Sequence, residues 1–102
     1  MVLLLDQISE TINNNTVVVY SKTYCPYCTK AKNELKKHNI SAKIIELDII
    51  DEGADIQQAL LELTKQRTVP NIFINKTHVG GCDDLLRKIA SGEVKKLLEA
   101  NL

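Results

Sequence analysis

A β-branched apolar run, Thr16-Val17-Val18-Val19-Tyr20, leads through a short turn into Tyr24-Cys25-Pro26-Tyr27-Cys28 and then into a lysine-rich stretch with helical spacing. A second apolar run, Lys43-Ile44-Ile45-Glu46-Leu47-Asp48, follows that stretch. Two strands separated by a helix pair in parallel through a right-handed crossover, so residues 16–48 predict one βαβ unit. This unit limits the chain to an α/β fold and puts both thiols where a strand hands over to a helix.

A thiol in that place is chemically useful. The thiolate is the attacking species, and a helix N-terminus offers unpaired N–H groups and a partial positive charge that stabilise it. Proline disfavours the α region for the residue before it and suits the first helical position, so Pro26 pushes Cys25 to the cap. Inside a regular helix, Cβ atoms three apart are about 5–6 Å from each other, too far for the ~3.5–4.5 Å of a disulfide. With Cys25 outside the helix and Cys28 in its first turn, a bridge becomes reachable. Lys22 adds a nearby cation. The other reading of Cys-x-x-Cys is half of a zinc site, but the rest of the chain offers only Cys82, His38 and His78 as thiol or imidazole ligands. Redox chemistry is therefore the expectation, with no metal ligands assigned.

The 102 residues suffice for one domain, 1–102, with a core that needs no staples. Thirteen basic residues balance thirteen acidic ones, which argues against a nucleic-acid or membrane-surface protein held by bulk charge. Met1-Val2-Leu3-Leu4-Leu5 is cut off by Asp6 and lacks a basic lead, so it reads as neither a signal peptide nor a membrane span. Three cysteines fit a reducing compartment, and a cytoplasmic location is expected.

Leu4, Leu5, Ile8 and Ile12 recur at helical spacing and predict a helix over 2–13. Residues 26–38 predict a second helix, with Ala31 and Leu35 inward. A third begins after Asp51-Glu52-Gly53 and runs to about Gln66, with Ile56, Leu60, Leu61 and Leu63 as its stripe. Asn71–Ile74 and Thr77–Val79 flank Asn75-Lys76 as a β-hairpin. Gly80-Gly81 is a turn, Cys82-Asp83-Asp84 caps a final helical region, and Ser91-Gly92 breaks it. The expected order is α-β-α-β-α-β-β-α.

Two further segments carry chemistry. Pro70 lacks a ladder N–H, so Thr68-Val69-Pro70 belongs at the mouth of the strand that follows. An ordinary trans turn is the default there; a cis Val69-Pro70 bond is the functional alternative, leaving the Val69 N–H and C=O open to an extended ligand. Gly80-Gly81-Cys82-Asp83-Asp84 reads either as a turn with an N-cap or as a site where helix N–H groups meet a carboxylate. Cys82 is by default a small, partly buried apolar residue, and His38 and His78 read as surface residues without a role.

Lys22-Thr-Tyr-Cys-Pro-Tyr-Cys28, Thr68-Val69-Pro70 and Gly80-Gly81-Cys82-Asp83-Asp84, in this order, resemble a dithiol glutaredoxin of the thioredoxin superfamily across essentially the whole chain. Thioredoxin itself is a poorer match, since its usual motif has Gly-Pro between the cysteines and a Trp before them. The resemblance implies a thioredoxin fold, a central four-stranded mixed sheet flanked by helices on both faces. It implies a glutathione-dependent thiol–disulfide oxidoreductase acting on glutathionylated and disulfide-containing proteins, monomeric, with glutathione as cosubstrate. Cys25 would be the nucleophile, Cys28 the resolving thiol and Tyr27 a wall of the glutathione groove. Lys22 and Gln66 or Arg67 would meet the glycine carboxylate, and Val69, beside Thr68 and a cis Pro70, would pair with the cysteinyl backbone. The Cys82 and Asp83 N–H groups after Gly81 would hold the γ-glutamyl carboxylate, and Asp83 or Asp84 its amine. The alternative implied by the family is a dimer that binds an iron–sulfur cluster with glutathione as extra ligand; a proline next to the nucleophile goes with redox activity instead.

Overall fold

The computed structural model describes residues 3–100. Along them run α1 (Leu4–Asn14), β1 (Val17–Ser21), α2 (Pro26–Lys37), β2 (Lys43–Glu46), α3 (Gly53–Thr64), β3 (Asn71–Ile74), β4 (Thr77–Gly80), α4 (Cys82–Ser91) and α5 (Glu93–Glu99). The sheet order is β2-β1-β3-β4, with β1 and β2 parallel and β3 antiparallel to β1 and β4.

Strand periodicity divides the core in two. Val17 and Val19 of β1, with Ile72 and Ile74 of β3, face Ala31 and Leu35 of α2, Leu85 of α4 and Val94 of α5. Val18 and Tyr20, with Phe73, face Ile8 and Ile12 of α1 and Ile56, Ala59 and Leu60 of α3. Every residue of β1 is buried, as a central strand covered on both faces requires. This is the four-stranded mixed sheet with helices on both faces that the family resemblance implies.

The differences lie at element ends and at two stripe residues, Leu5 and Leu63, which are exposed. The first helix starts at Leu4 rather than at 2, and Val2 lies outside the described residues. β2 stops at Glu46 because the Leu47 N–H still reaches the Ser21 carbonyl while Asp48 turns away to Thr23. α3 ends at Thr64, since Lys65 takes a left-handed cap at φ 66°. The N-cap of α4 is Gly81, not the Cys82-Asp83-Asp84 segment, because the Asp84 carboxylate reaches back to the Gly81 N–H at 3.1 Å. Gly92, at φ 85°, breaks the last helical region into α4 and α5 where Ser91-Gly92 predicts a break. Asn75 and Lys76 both have positive φ, the geometry of a tight two-residue hairpin turn.

Candidate active site

The parallel pairing of β1 with β2 ends at Ser21 opposite Glu46, and the chain leaves this end of the sheet toward the thiols. The Asp48 carboxylate accepts a hydrogen bond from the Thr23 N–H at 3.0 Å and another from the Thr23 hydroxyl, tying the turn before Cys25 to the end of β2. These bonds hold the Asp48 carboxyl below its usual range. Cys25 then takes an extended backbone as the N-cap of α2, with Pro26 in the first turn. Its N–H bonds to the Lys22 carbonyl at 3.2 Å, closing a tight turn.

The two thiols differ as the cap geometry requires. Cys25 is half-buried, whereas Cys28 has 0% of its surface exposed. Burial pushes the Cys25 thiol up, but hydrogen bonds from the Cys28 N–H and thiol and the Tyr27 N–H, with the Lys22 charge, outweigh it, so its pKa lies below the ordinary value. Burial pushes the Cys28 thiol up, and the neighbouring Cys25 charge adds to the rise. Cys25 Sγ lies 3.9 Å from the Val69 carbonyl oxygen, and the Val69-Pro70 bond is cis, the alternative left open by the sequence.

Beyond Val69 opens a groove of about 430 Å³, lined by Tyr27, Gln66, Thr68, Val69, Pro70, Gly81, Cys82, Asp83 and Asp84. The structure thus brings three separated sequence segments to one surface beside the thiols. Gln66 Nε2 donates to the Thr68 carbonyl at 3.0 Å and the Pro70 carbonyl at 2.9 Å, bracing the Val69 corner from behind. The Asp84 carboxylate is engaged by the Gly81 N–H and the Arg87 guanidinium, while Asp83 is exposed. Cys82 is buried, and burial pushes its thiol up. Lys22 acts on Cys25 through its charge but does not line the groove, and Arg67 borders a separate hollow with Ala54, Gln57, Gln58 and Leu61. A larger hollow, about 950 Å³ between α2 and β2, contains neither Cys25 nor Cys28.

Two supporting contacts are missing from the sequence reading. One is Asp48 on Thr23. The other is a relay behind the groove: His78 Nε2 lies 2.8 Å from Asn71 Oδ1, Asn71 Nδ2 donates to Thr64 Oγ1 at 3.3 Å, and the same hydroxyl accepts the Gln66 N–H at 3.1 Å. An amide oxygen only accepts, so His78 carries its proton on Nε2. The available signal is Asn71 itself, a polar residue opening an apolar strand and 1% exposed.

The family model described as Glutaredoxin matches residues 17–79. Glutaredoxin-1 of Rhizophagus irregularis is 50% identical over 95 residues, 93% of this chain and 94% of its own length. Glutaredoxin-2, mitochondrial, of Bos taurus is 46% identical over 92% of this chain and 60% of its own length. Among solved structures, the crystal structure of a buckwheat glutaredoxin–glutathione complex matches with a TM-score of 0.91 and 41% identity, covering 95% of this chain and 88% of that one. A family model that takes in both the thiol pair and the Val69 corner, with relatives alike along nearly the whole chain, shows that this protein belongs to the glutaredoxin family.

Proposed function

We propose that this chain, acting as one domain over 1–102, reduces protein–glutathione mixed disulfides through Cys25 alone and protein disulfides through Cys25 and Cys28 together. Its family makes it a glutathione-dependent thiol–disulfide oxidoreductase with glutathione as cosubstrate. The observation that carries the division of labour is the contrast between a half-exposed Cys25 with a lowered pKa and a buried Cys28 with a raised one.

In the first route the Cys25 thiolate attacks the glutathionyl sulfur, a Cys25–glutathione disulfide forms, and the protein thiolate leaves and takes a proton from water. A second glutathione thiolate then attacks this adduct, releasing glutathione disulfide and the Cys25 thiolate. In the second route the Cys25 thiolate attacks one sulfur of the protein disulfide, breaking that bond and releasing the first protein thiolate, and the Cys28 thiolate then attacks Cys25 Sγ and expels the second; both protein thiolates take protons from water. The Cys25–Cys28 disulfide left behind is reopened by two glutathiones. Burial is the main reason Cys28 stays protonated, but part of its elevation comes from the Cys25 charge. Once Cys25 is in a mixed disulfide that charge is gone, so Cys28 ionises more readily at the step that needs it.

The groove supports a role for each residue. Tyr27, Thr68, Val69 and Pro70 form one wall, with the Val69 backbone pairing the cysteinyl unit. Gln66 lines the groove and spends both amide hydrogens on the Thr68 and Pro70 carbonyls, so it braces the wall; the glycine carboxylate goes to Lys22, whose charge already acts on Cys25, while Arg67 stands apart on its own hollow. The N–H groups of Cys82 and Asp83, next to Gly81, take the γ-glutamyl carboxylate. With Asp84 engaged by Gly81 and Arg87, exposed Asp83 takes the amine. The protein works as a monomer in the cytosol, a location inferred from its cysteine content; none of the described helices is long and apolar enough to cross a membrane.

A glutathione-reductase-coupled assay tests this reading. Cys25→Ser should abolish turnover of a small glutathionyl disulfide and of a protein disulfide. Cys28→Ser should keep the first activity and lose the second; equal loss of both would refute the two-route scheme. Visible absorption bands in the purified protein would instead revive the cluster-binding alternative.

A further inference from the structure

Among the described residues, seven large apolar or aromatic side chains are exposed: Leu3, Leu5, Tyr24, Tyr27, Ile49, Ile50 and Leu63. Tyr27 lines the groove, but Tyr24, Ile49 and Ile50 do not, and they are 72%, 70% and 41% exposed. All three lie at the thiol end of the sheet. The Leu47 N–H reaches the Ser21 carbonyl at 2.8 Å and the Thr23 N–H reaches Asp48 at 3.0 Å, so the segments 21–24 and 47–50 run side by side. Each continues one step past the Thr23–Asp48 tie into an exposed apolar side chain, Tyr24 on one and Ile49 on the other. Tyr24 is also the residue directly before the nucleophile. Beyond the isoleucines, Asp51, Glu52 and Asp55 are exposed as well, giving the apolar surface an acidic border.

A mixed disulfide has two halves, and the groove takes only the glutathionyl one. The polypeptide half must leave the groove at Cys25 and lie on the surface outside it. An exposed apolar patch with a charged rim marks a place where another chain lies. Resting on the glutathione-dependent reading above, we propose that Tyr24, Ile49 and Ile50 dock the polypeptide half of the substrate. The surface favours glutathionylated segments with an apolar residue beside the modified cysteine and basic residues beyond it. The apolar contact supplies affinity, and Asp51 and Glu52 supply charge steering.

The test uses the full chain, unsubstituted and as the Ile49→Ser/Ile50→Ser double variant. The substrates are the mixed disulfide of glutathione with 2-mercaptoethanol and three glutathionylated peptides. One peptide has Leu on both sides of Cys and Lys-Lys beyond, one has Ser in place of Leu, and one has Glu-Glu in place of Lys-Lys. The double variant should lose about tenfold in kcat/KM on the leucine–lysine peptide, chiefly in KM, while the small disulfide and the serine peptide stay within about twofold. The Glu-Glu peptide should be poorer than the Lys-Lys peptide with the unsubstituted protein, and the gap should narrow as salt rises. Equal losses on the small disulfide and the leucine peptide would overturn the proposal, because the isoleucines would then serve the reacting centre rather than docking. So would an unsubstituted protein that turns over leucine and serine peptides equally, or Lys-Lys and Glu-Glu peptides equally. No turnover of the small disulfide by the unsubstituted protein would overturn the glutathione-dependent reading itself, and this proposal with it.

Discussion

Cys25 shows how much a single capping position does. Its half-burial works against the thiolate, and three hydrogen bonds from Tyr27 and Cys28 together with the Lys22 charge reverse the sign. Because the thiolate is the reacting form, iodoacetamide alkylation of Cys25 should rise with pH and pass its midpoint below the ordinary thiol value of about 8.5. The sign is opposite for Cys28, whose midpoint, measured in Cys25→Ser under denaturant-free conditions, should exceed it. Lys22→Ala should move the Cys25 midpoint upward only part of the way, since the backbone N–H groups remain, and added salt should shrink that part. A Cys25 midpoint at or above 8.5 would remove the activation argument. At this scale the sequence is legible where chemistry is local: Pro26 fixes Cys25 and the first turn follows. It is silent on Asp48 and on the His78–Asn71–Thr64 relay. Asp48 reaches Thr23 across 25 residues of chain, and no spacing rule links an acid at a strand end to a threonine that far away.

Elements were readable in type and misplaced at their ends, for one recurring reason: tertiary hydrogen bonds and left-handed caps decide where a helix or strand stops. Lys65 and Gly92 end α3 and α4 through backbone geometry, and a lysine gives no hint of such a cap. Gly53 is a different case, a turn residue by its sequence neighbours and a packing residue in the fold. A Cβ added there would fall 1.6 Å from the Leu47 carbonyl oxygen, which belongs to backbone and cannot swing aside. The close approach of α3 to the end of β2 therefore requires glycine. Gly53→Ala should destabilise the protein by about 1–3 kcal/mol or more, as overpacking does, despite the better helix propensity of alanine. Urea unfolding measures it, and a stabilised variant would show that the start of α3 can shift freely. Since the 47–50 segment borders the thiols, a shift there should also disturb the Thr23–Asp48 tie.

For the whole molecule, the parallel βαβ half and the hairpin half were each visible in the sequence, but their joining was not. The mixed sheet is implied by the family resemblance and not by any periodicity, and the place of β3 beside β1 is seen only in the structure. Its consequence is that β1 is paired on both edges while helices cover both its faces, and Tyr20, near its end, is 1% exposed against α1, α3 and Phe73. The Tyr20–Phe73 rings meet edge to face at 6.2 Å. Burial pushes the Tyr20 phenol up to about 12, with the nearby Thr11 hydroxyl opposing part of the rise. In the unfolded chain the same phenol ionises near 10. The folded state thus holds this proton more tightly, so its contribution to stability is fully present below about pH 10 and is lost as pH rises toward 12. Alkali acts on the whole chain, which makes the unsubstituted protein alone an ambiguous witness. Tyr20→Phe isolates the phenol: it keeps the ring against Phe73 and removes only the buried ionisation. Its urea midpoint should fall less between pH 9 and about 11.5 than that of the unsubstituted protein, whatever its starting value. Parallel declines in the two proteins would show that the alkaline limit of this fold is set at its surface and not at the buried end of β1.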